Sequence, residues 1–185
     1  MQLPAQLGLT YLASELVLRF SRRSGGSAKP SDGGSLALLW VSIGVGIGLG
    51  IWLAFAVPVA GFSLSPAVSR LVVALFLGGL VLRWWAILVL GKFFTVDVAI
   101  ATDHQLVVRG PYRWMRHPSY TGMMLAFAAF ALTLQNGLSL AAVLIPISVA
   151  LAYRIRVEEA ALLSAFGEEY RRYSLTAKRL VPGLY

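Results

Sequence analysis

Leu36–Val57 reads LALLWVSIGVGIGLGIWLAFAV, an apolar run without a charged residue from end to end. Its four glycines, Gly44, Gly46, Gly48 and Gly50, raise the question of a nucleotide-binding loop. Such a loop needs a strand before the glycines and a phosphate-binding lysine after them, and the sequence has neither. Small residues four apart, Gly44 with Gly48 and Gly46 with Gly50, instead let helices approach closely in lipid. About 20 apolar residues suffice to cross the hydrocarbon core as a helix, so this stretch decides for a helical membrane protein.

Composition agrees. The chain has 185 residues, of which 58% are hydrophobic and 13% charged, and its mean hydropathy is +0.74. Soluble domains carry roughly 25% charged residues. A net charge of +8 would suggest nucleic acid as the partner of a soluble chain. Here the basic residues flank apolar runs, so orientation in a bilayer accounts for them and no nucleic acid is expected. The absence of cysteine removes disulfides, thiolate nucleophiles and cysteine-based metal sites. The length fits one all-α bundle, a single domain over residues 1–185.

Working outward, the sequence predicts five transmembrane helices, at about 3–20, 36–57, 70–90, 120–134 and 138–153. The first is expected to be a retained span, because Arg19, Arg22 and Arg23 follow its apolar run rather than precede it. Glu15 within it has two readings, an interfacial i,i+4 pair with Arg19 or a functional intramembrane acid. Arg83 lies about two turns inside the end of the third span. It either snorkels beside Trp84 and Trp85 or turns into the bundle to meet an anionic ligand. Residues 91–118 form a polar insertion, with Val96–Ile100 and Leu106–Val108 as extended segments too short for a sheet. The last two spans read as a tilted hairpin around Gln135-Asn136-Gly137, with Pro146 a candidate kink in the second arm.

Charge sets the orientation. Of the sixteen Lys and Arg residues, fourteen lie in 19–34, 92–120 and 154–185. With five spans these three segments share one side, which the positive-inside rule makes cytoplasmic. Two dense patches therefore meet on the inner face: Arg109–Gly122, RGPYRWMRHPSYTG, and Arg154–Phe166, RIRVEEAALLSAF. From Arg154 the chain reads as an amphipathic C-terminal helix, ended by Gly167. At helical spacing Glu159 shares a face with Ile155, Leu162, Leu163 and Phe166, whereas Glu158 turns beside Arg154. A carboxylate in an apolar stripe needs a partner.

The residue types narrow the chemistry. His104 and His117 are the only histidines. No acid or thiol stands at metal-ligand spacing from them, so no metal is expected. Ser119 follows Pro118 without a nucleophile elbow, and no base-plus-orienter arrangement supports a hydrolase. Arginines, tyrosines and one apolar-face glutamate suit an anionic or zwitterionic ligand at the membrane surface. A solvated ion-pair network and an interfacial aromatic belt are the plainer readings of the same residues.

The order GPYRWMRHPSYTG, a hairpin, then RVEEAALLSAFGEEYRRY resembles the isoprenylcysteine carboxyl methyltransferase family. That family sits within a wider group of integral-membrane methyltransferases that includes phospholipid N-methyltransferases. The similarity extends upstream through Leu82-Arg83, Gly91-Lys92-Phe93-Phe94 and His104-Gln105-Leu106-Val107, and so covers roughly residues 80–182. The resemblance implies S-adenosylmethionine as cofactor, bound at the cytoplasmic interface rather than in a Rossmann domain. It implies a cofactor shell of His104, Gln105, Leu106, Val107, Tyr112, His117, Tyr120 and Glu159. Arg83, Arg154 and Glu159 would line the reaction centre, the whole region spanning about 83–170.

What the resemblance implies is methyl transfer to the carboxylate of a lipidic acceptor, such as a C-terminal isoprenylcysteine. The organism is expected to be bacterial and the protein to sit in its cytoplasmic membrane, with a lipidic or prenylated small molecule or peptide as partner. Other readings are a phospholipid amine as acceptor, an NADPH-dependent sterol-type reductase, and a non-enzymatic basic scaffold on anionic lipid.

Overall fold

The computed structural model describes residues 2–21, 33–94 and 105–183, with the side chains of residues 19–21 excepted. Among the described residues the elements are α1 (Gln2–Ser21), α2 (Ser35–Ala56), α3 (Pro66–Leu90), α4 (Pro118–Thr133), α5 (Gly137–Phe166) and α6 (Glu168–Thr176). Short 3₁₀ turns occupy Pro58–Ala60, Gly91–Phe93 and Gly110–Arg113. No strand forms among the described residues; only isolated bridges join Gly61 to Asn136 and Met115 to Lys178. The fold is all-α, as the hydrophobic pattern predicts.

Helix ends follow local chemistry. Ser65 caps α3 by accepting from the Val68 amide at 3.3 Å, with Pro66 just inside the helix where its missing N–H is harmless. Asn136 caps α5, its Oδ1 accepting from the Ser139 amide at 3.0 Å while its Nδ2 donates to the Val57 carbonyl at 2.9 Å. The tight turn between α4 and α5 is thereby tied to the end of α2. Gly167, at φ 51°, ends α5 where the sequence places its stop.

All five expected apolar segments are helical. Of these α2, α3 and α5 are by themselves long and apolar enough to cross a membrane. α4 has only 16 residues, a rise of ~24 Å at ~1.5 Å per residue. It lies at the centre of the bundle, with Ala126, Ala129 and Ala131 fully buried. α1 rests against it through Tyr11, whose ring centroid is 4.7 Å from that of Phe127. Outward-facing Val41, Val45 and Trp52 on α2, Leu71 and Val81 on α3, and Ile145 and Val149 on α5 present apolar surface to lipid.

Glycine sets the closest approaches. At Gly79 of α3 an added Cβ would stand 2.7 Å from the Gly122 carbonyl of α4. At Gly46 and Gly50 it would meet α5, at 3.1 Å from the Ala142 carbonyl and 2.7 Å from Val143 Cγ2. Among the described residues nothing lies within 4 Å of a Cβ added at Gly44 or Gly48, so the packing seam there is carried by the pair Gly46 and Gly50. Ser139 reinforces that seam by donating to the Gly50 carbonyl at 2.6 Å.

One expectation changes and two open readings are decided. The span at 138–153 and the amphipathic helix from Arg154 are one helix of 30 residues, because no breaker separates Tyr153 from Arg154 and Pro146 is accommodated without dividing it. Glu15 is committed to a residue far along the chain: Arg83 Nε and Nη2 donate to its two oxygens at 2.7 and 2.8 Å. Arg83 accordingly turns into the bundle and is 6% exposed, which excludes the snorkelling reading. Val96–Ile100 and the Arg19 side chain lie outside the described residues.

The glycine contacts make a signed prediction. Ala is the better helix former by up to ~1 kcal/mol, so Gly78→Ala, which meets nothing within 4 Å among the described residues, should be neutral or stabilising. Gly79→Ala forces α3 and α4 apart and should destabilise by about 1–3 kcal/mol. Thermal unfolding of the two detergent-solubilised variants checks this; equal melting temperatures would contradict the backbone contact.

Candidate functional site

The site begins in the loop that enters α4. Gly110, at φ 59°, admits the 3₁₀ turn Gly110–Arg113, which buries Pro111 and Tyr112. Pro118 then starts α4, and His117, at its N-terminal boundary, is buried. The residues after α6 run alongside this loop. The Arg116 and His117 amides donate to the Lys178 and Arg179 carbonyls at 2.7 and 3.0 Å, and Thr121 Oγ1 donates to the Leu180 carbonyl at 2.8 Å. Tyr173 of α6 donates to the Tyr112 carbonyl at 2.7 Å. Loop, α6 and tail thus form one layer under the bundle.

α5 extends beyond its apolar stretch and carries Arg154, Glu158 and Glu159 into that layer. Glu159 Oε1 accepts from Arg116 Nε at 2.9 Å, and His117 Nε2 lies 3.3 Å from the same oxygen. Its other oxygen accepts from Arg179 Nε at 3.0 Å. Arg116 also donates to the carbonyls of Ser174 and Ala177, which locks its guanidinium between α5 and the tail. Burial alone would raise the Glu159 pKa. Hydrogen bonds from His117, Arg179 and Arg116, with the Arg116 charge, outweigh it and hold the carboxyl at about 2.

A second chain of bonds runs beside the first. Tyr120 donates to Glu158 Oε2 at 2.7 Å and accepts from Arg154 Nε at 2.9 Å. Arg154 is buried and also donates to Ser35 Oγ at 3.1 Å, at the start of α2. The Glu158–Arg154 adjacency expected from helical phasing is therefore realised through the Tyr120 hydroxyl. The imidazole of His117 joins the two chains: it stacks on Tyr120, with centroids 5.6 Å apart and planes at 16°, and its Nδ1 is 3.8 Å from Glu158.

Arg83 lies behind Tyr120. Besides Glu15, it donates from Nη1 to Ser119 Oγ at 2.9 Å and to the Ser119 carbonyl at 3.4 Å. Of the predicted residues the structure joins His117, Tyr120, Arg154 and Glu159 into one network, with Arg83 one residue away through Ser119 and Tyr112 held from below by Tyr173. Gln105 is exposed, and Leu106 and Val107 are half-buried on the irregular segment before the turn; none of the three joins the network among the described residues. His104 lies outside the described residues.

Sequence reasoning missed Arg116 and Arg179 as partners of Glu159. Arg116 had a signal, its place directly before His117 in the densest basic stretch. Arg179 had none, since it is one cation in a basic tail.

The assembled groups are three arginines, two glutamates, a histidine and two tyrosines. A carboxylate held ionised can bind a cation, arginines can orient a carboxylate, and the stacked His117–Tyr120 surface can receive a flat ring. Burial pushes the Tyr112 phenol well above its ordinary pKa, so it remains a neutral donor throughout the working range.

Comparison with known proteins follows the same residues. The model of the isoprenylcysteine carboxyl methyltransferase (ICMT) family matches residues 72–164. The chain is 39% identical over 97 residues to a protein-S-isoprenylcysteine O-methyltransferase of Tribolium castaneum, covering 51% of this chain and 34% of that protein. It is 35% identical over 106 residues to protein-S-isoprenylcysteine O-methyltransferase B of Arabidopsis thaliana, covering 56% and 54%. An uncharacterised Bacillus subtilis protein, YpbQ, is 32% identical over 91 residues, covering 49% and 54%. The chain thus spans about half or less of the length of these relatives. A solved eukaryotic intramembrane Ras methyltransferase, ICMT, superposes with a TM-score of 0.64 at 26% identity, over 95% of this chain and 63% of that one.

The Glu159 cluster has a pH signature of its own. A carboxyl whose folded pKa is about 2 against an ordinary 4.5 adds stability above pH 4.5 and loses it as pH falls towards 2. The melting temperature of the wild type should exceed that of Glu159→Gln by a constant margin above about pH 5, and the margin should close below pH 4.5. Parallel curves down to pH 2.5 would contradict the caged carboxylate.

Proposed function

Since this chain belongs to the isoprenylcysteine carboxyl methyltransferase family, we propose that it is an S-adenosylmethionine-dependent enzyme that methylates the carboxylate of a lipid-borne acceptor at the cytoplasmic membrane face. The observation that carries this reading is the convergence of Arg116, His117, Tyr120, Arg154 and Glu159, from two segments of the chain, at the end of an apolar bundle.

The donor set fits the cofactor. S-adenosylmethionine carries an ammonium, a sulfonium, a carboxylate and a flat adenine. Glu159, held ionised by its cage, would meet the cationic groups. Arg116 and Arg179 would meet the carboxylate, with Tyr112, His117 and Tyr120 providing the stacking and hydrogen-bonding surface. When bound, this group supplies an electrophilic methyl.

The work of the protein follows from the chemistry of the acceptor. A carboxylic acid has a pKa near ~4, so at neutral pH it is already a nucleophile and requires no base. The methyl so supplied would pass to one acceptor oxygen with the S–C electron pair left on sulfur, giving an ester and a thioether. No proton moves. The residues must strip water from the carboxylate and aim it. Arg154 would do this; it is buried where the apolar part of α5 ends and held by Tyr120 and Ser35. Arg83 acts from behind, on the first turn of α4. An acceptor with an apolar tail would reach this depth from the bilayer.

Incubation of detergent-solubilised protein with methyl-labelled S-adenosylmethionine and a farnesylcysteine analogue should yield a base-labile labelled ester. Arg154→Gln should lower the rate by about 100-fold or more with folding preserved. Label in extracted phospholipid would favour the amine acceptor, and a thermal shift with NADPH alone would favour the reductase. Orientation is read separately: Leu175→Cys, at an exposed site of α6 in a chain without cysteine, should react only with a thiol reagent applied from the cytoplasmic side.

A further inference from the structure

We propose that Glu15, on α1, is a positioning residue of the site, acting through Arg83 on the first turn of α4. α1 lies wholly outside the residues 72–164 matched by the family model.

The contact is a two-pronged one. Glu15 Oε1 and Oε2 accept from Arg83 Nε and Nη2 at 2.7 and 2.8 Å, and the two side chains are only 11% and 7% exposed. Such a fork fixes the plane of the guanidinium as well as its position. With that plane set, the remaining nitrogen, Nη1, points at Ser119 Oγ and the Ser119 carbonyl. Ser119 is buried between Pro118 and Tyr120, so holding it sets the turn from which the Tyr120 hydroxyl reaches Glu158 and Arg154.

The backbone of Arg83 is itself pinned. A Cβ on Gly122 would stand 2.7 Å from the Arg83 amide nitrogen, so α3 and α4 touch at this level and the guanidinium cannot shift by sliding. The neighbouring residues repeat the join, Trp84 Nε1 donating to Ser14 Oγ at 2.7 Å.

A fork that served only to fasten α1 would not need to reach Ser119. α1 already has apolar attachments: Leu7 and Tyr11 belong to the buried cluster that includes Phe127 and Phe130, and the Tyr11 ring packs on that of Phe127. In an apolar bundle, removing one charge of such a pair leaves the other uncompensated, which costs far more than the net worth of the pair. Without Glu15, therefore, the Arg83 guanidinium should seek another acceptor and release Ser119. The proposal rests on the methyltransferase reading only for its consequence in catalysis; the mechanical coupling stands apart from it.

The Tyr120 and Thr121 amides, which both donate to the His117 carbonyl, report the first turn of α4. Hydrogen–deuterium exchange of the full chain in detergent is compared for wild type, Glu15→Gln, Arg83→Met, the double variant and Leu7→Ala. The last loosens α1 without touching Arg83. Exchange at these two amides should rise about fivefold or more in Glu15→Gln and Arg83→Met, no further in the double variant, and less than about twofold in Leu7→Ala. Additive effects, or an equal rise in Leu7→Ala, would overturn the proposal. In the farnesylcysteine assay, Glu15→Gln should lower kcat about tenfold with KM for the donor within about twofold of wild type. A matching fall in Leu7→Ala at the same melting temperature would also overturn it. Exchange requires neither cofactor nor acceptor, so absence of methylation in the wild type would count against the functional reading and leave the coupling to the exchange result.

Discussion

Glu159 stays ionised in a largely enclosed place because nitrogen-bearing side chains reach it from two other parts of the chain. Arg116 and His117 come from the loop before α4, and Arg179 from the tail after α6. Each has a further anchor: Arg116 on the Ser174 and Ala177 carbonyls, His117 through stacking on Tyr120, and Arg179 through the backbone bond between its carbonyl and the His117 amide. Remove the carboxylate, and loop, tail and helix lose the charge around which they assemble. A like dependence holds deeper in the bundle, where Arg83 would be a buried lone cation without Glu15.

What sequence reasoning reached and what it missed divide along the range of the interaction. The apolar runs, the stop at Gly167 and the turn before Asn136 are local properties, and each falls where expected. Glu159 was separable from Glu158 by phasing alone, because a helix surface repeats every 3.6 residues. Glu15 shows the limit. Its nearest visible cation is Arg19, one turn away, yet its oxygens meet Arg83, 68 positions along the chain. Only the approach of α3 to α4 and of α1 to α4 makes that pairing available. Likewise no sequence rule distinguishes the glycine pair Gly46–Gly50 from Gly44–Gly48, since both have the same spacing; the difference lies in which face α5 covers.

The same limit explains the incomplete reading of the site. Arg116 is visible as part of a basic loop, but besides Glu159 its partners are backbone carbonyls at the end of α6 and just beyond it, some sixty residues later. A carbonyl carries no residue identity, so such bonds are invisible to motif reading. Membership of a family, in contrast, rests on side chains whose order and spacing persist, and the matched stretch 72–164 begins within α3 and ends within α5. Glu15 on α1 and Arg179 on the tail lie outside it and contribute by contacts that three-dimensional structure displays.

α5 runs unbroken for 30 residues, through Pro146 and past Tyr153, to the glutamates. Because one rod carries both the lipid-embedded stretch and Glu158 and Glu159, immersion depth and site geometry are a single variable. Sliding the rod by one residue along its axis moves the carboxylates by ~1.5 Å. Bilayers differ in thickness by a few ångströms, and helices answer by leaning or sinking. The seam with α2, pinned at Ser139 and Gly50, and the cage around Glu159 thus act as two bearings on one shaft, against which the surrounding lipid bears directly.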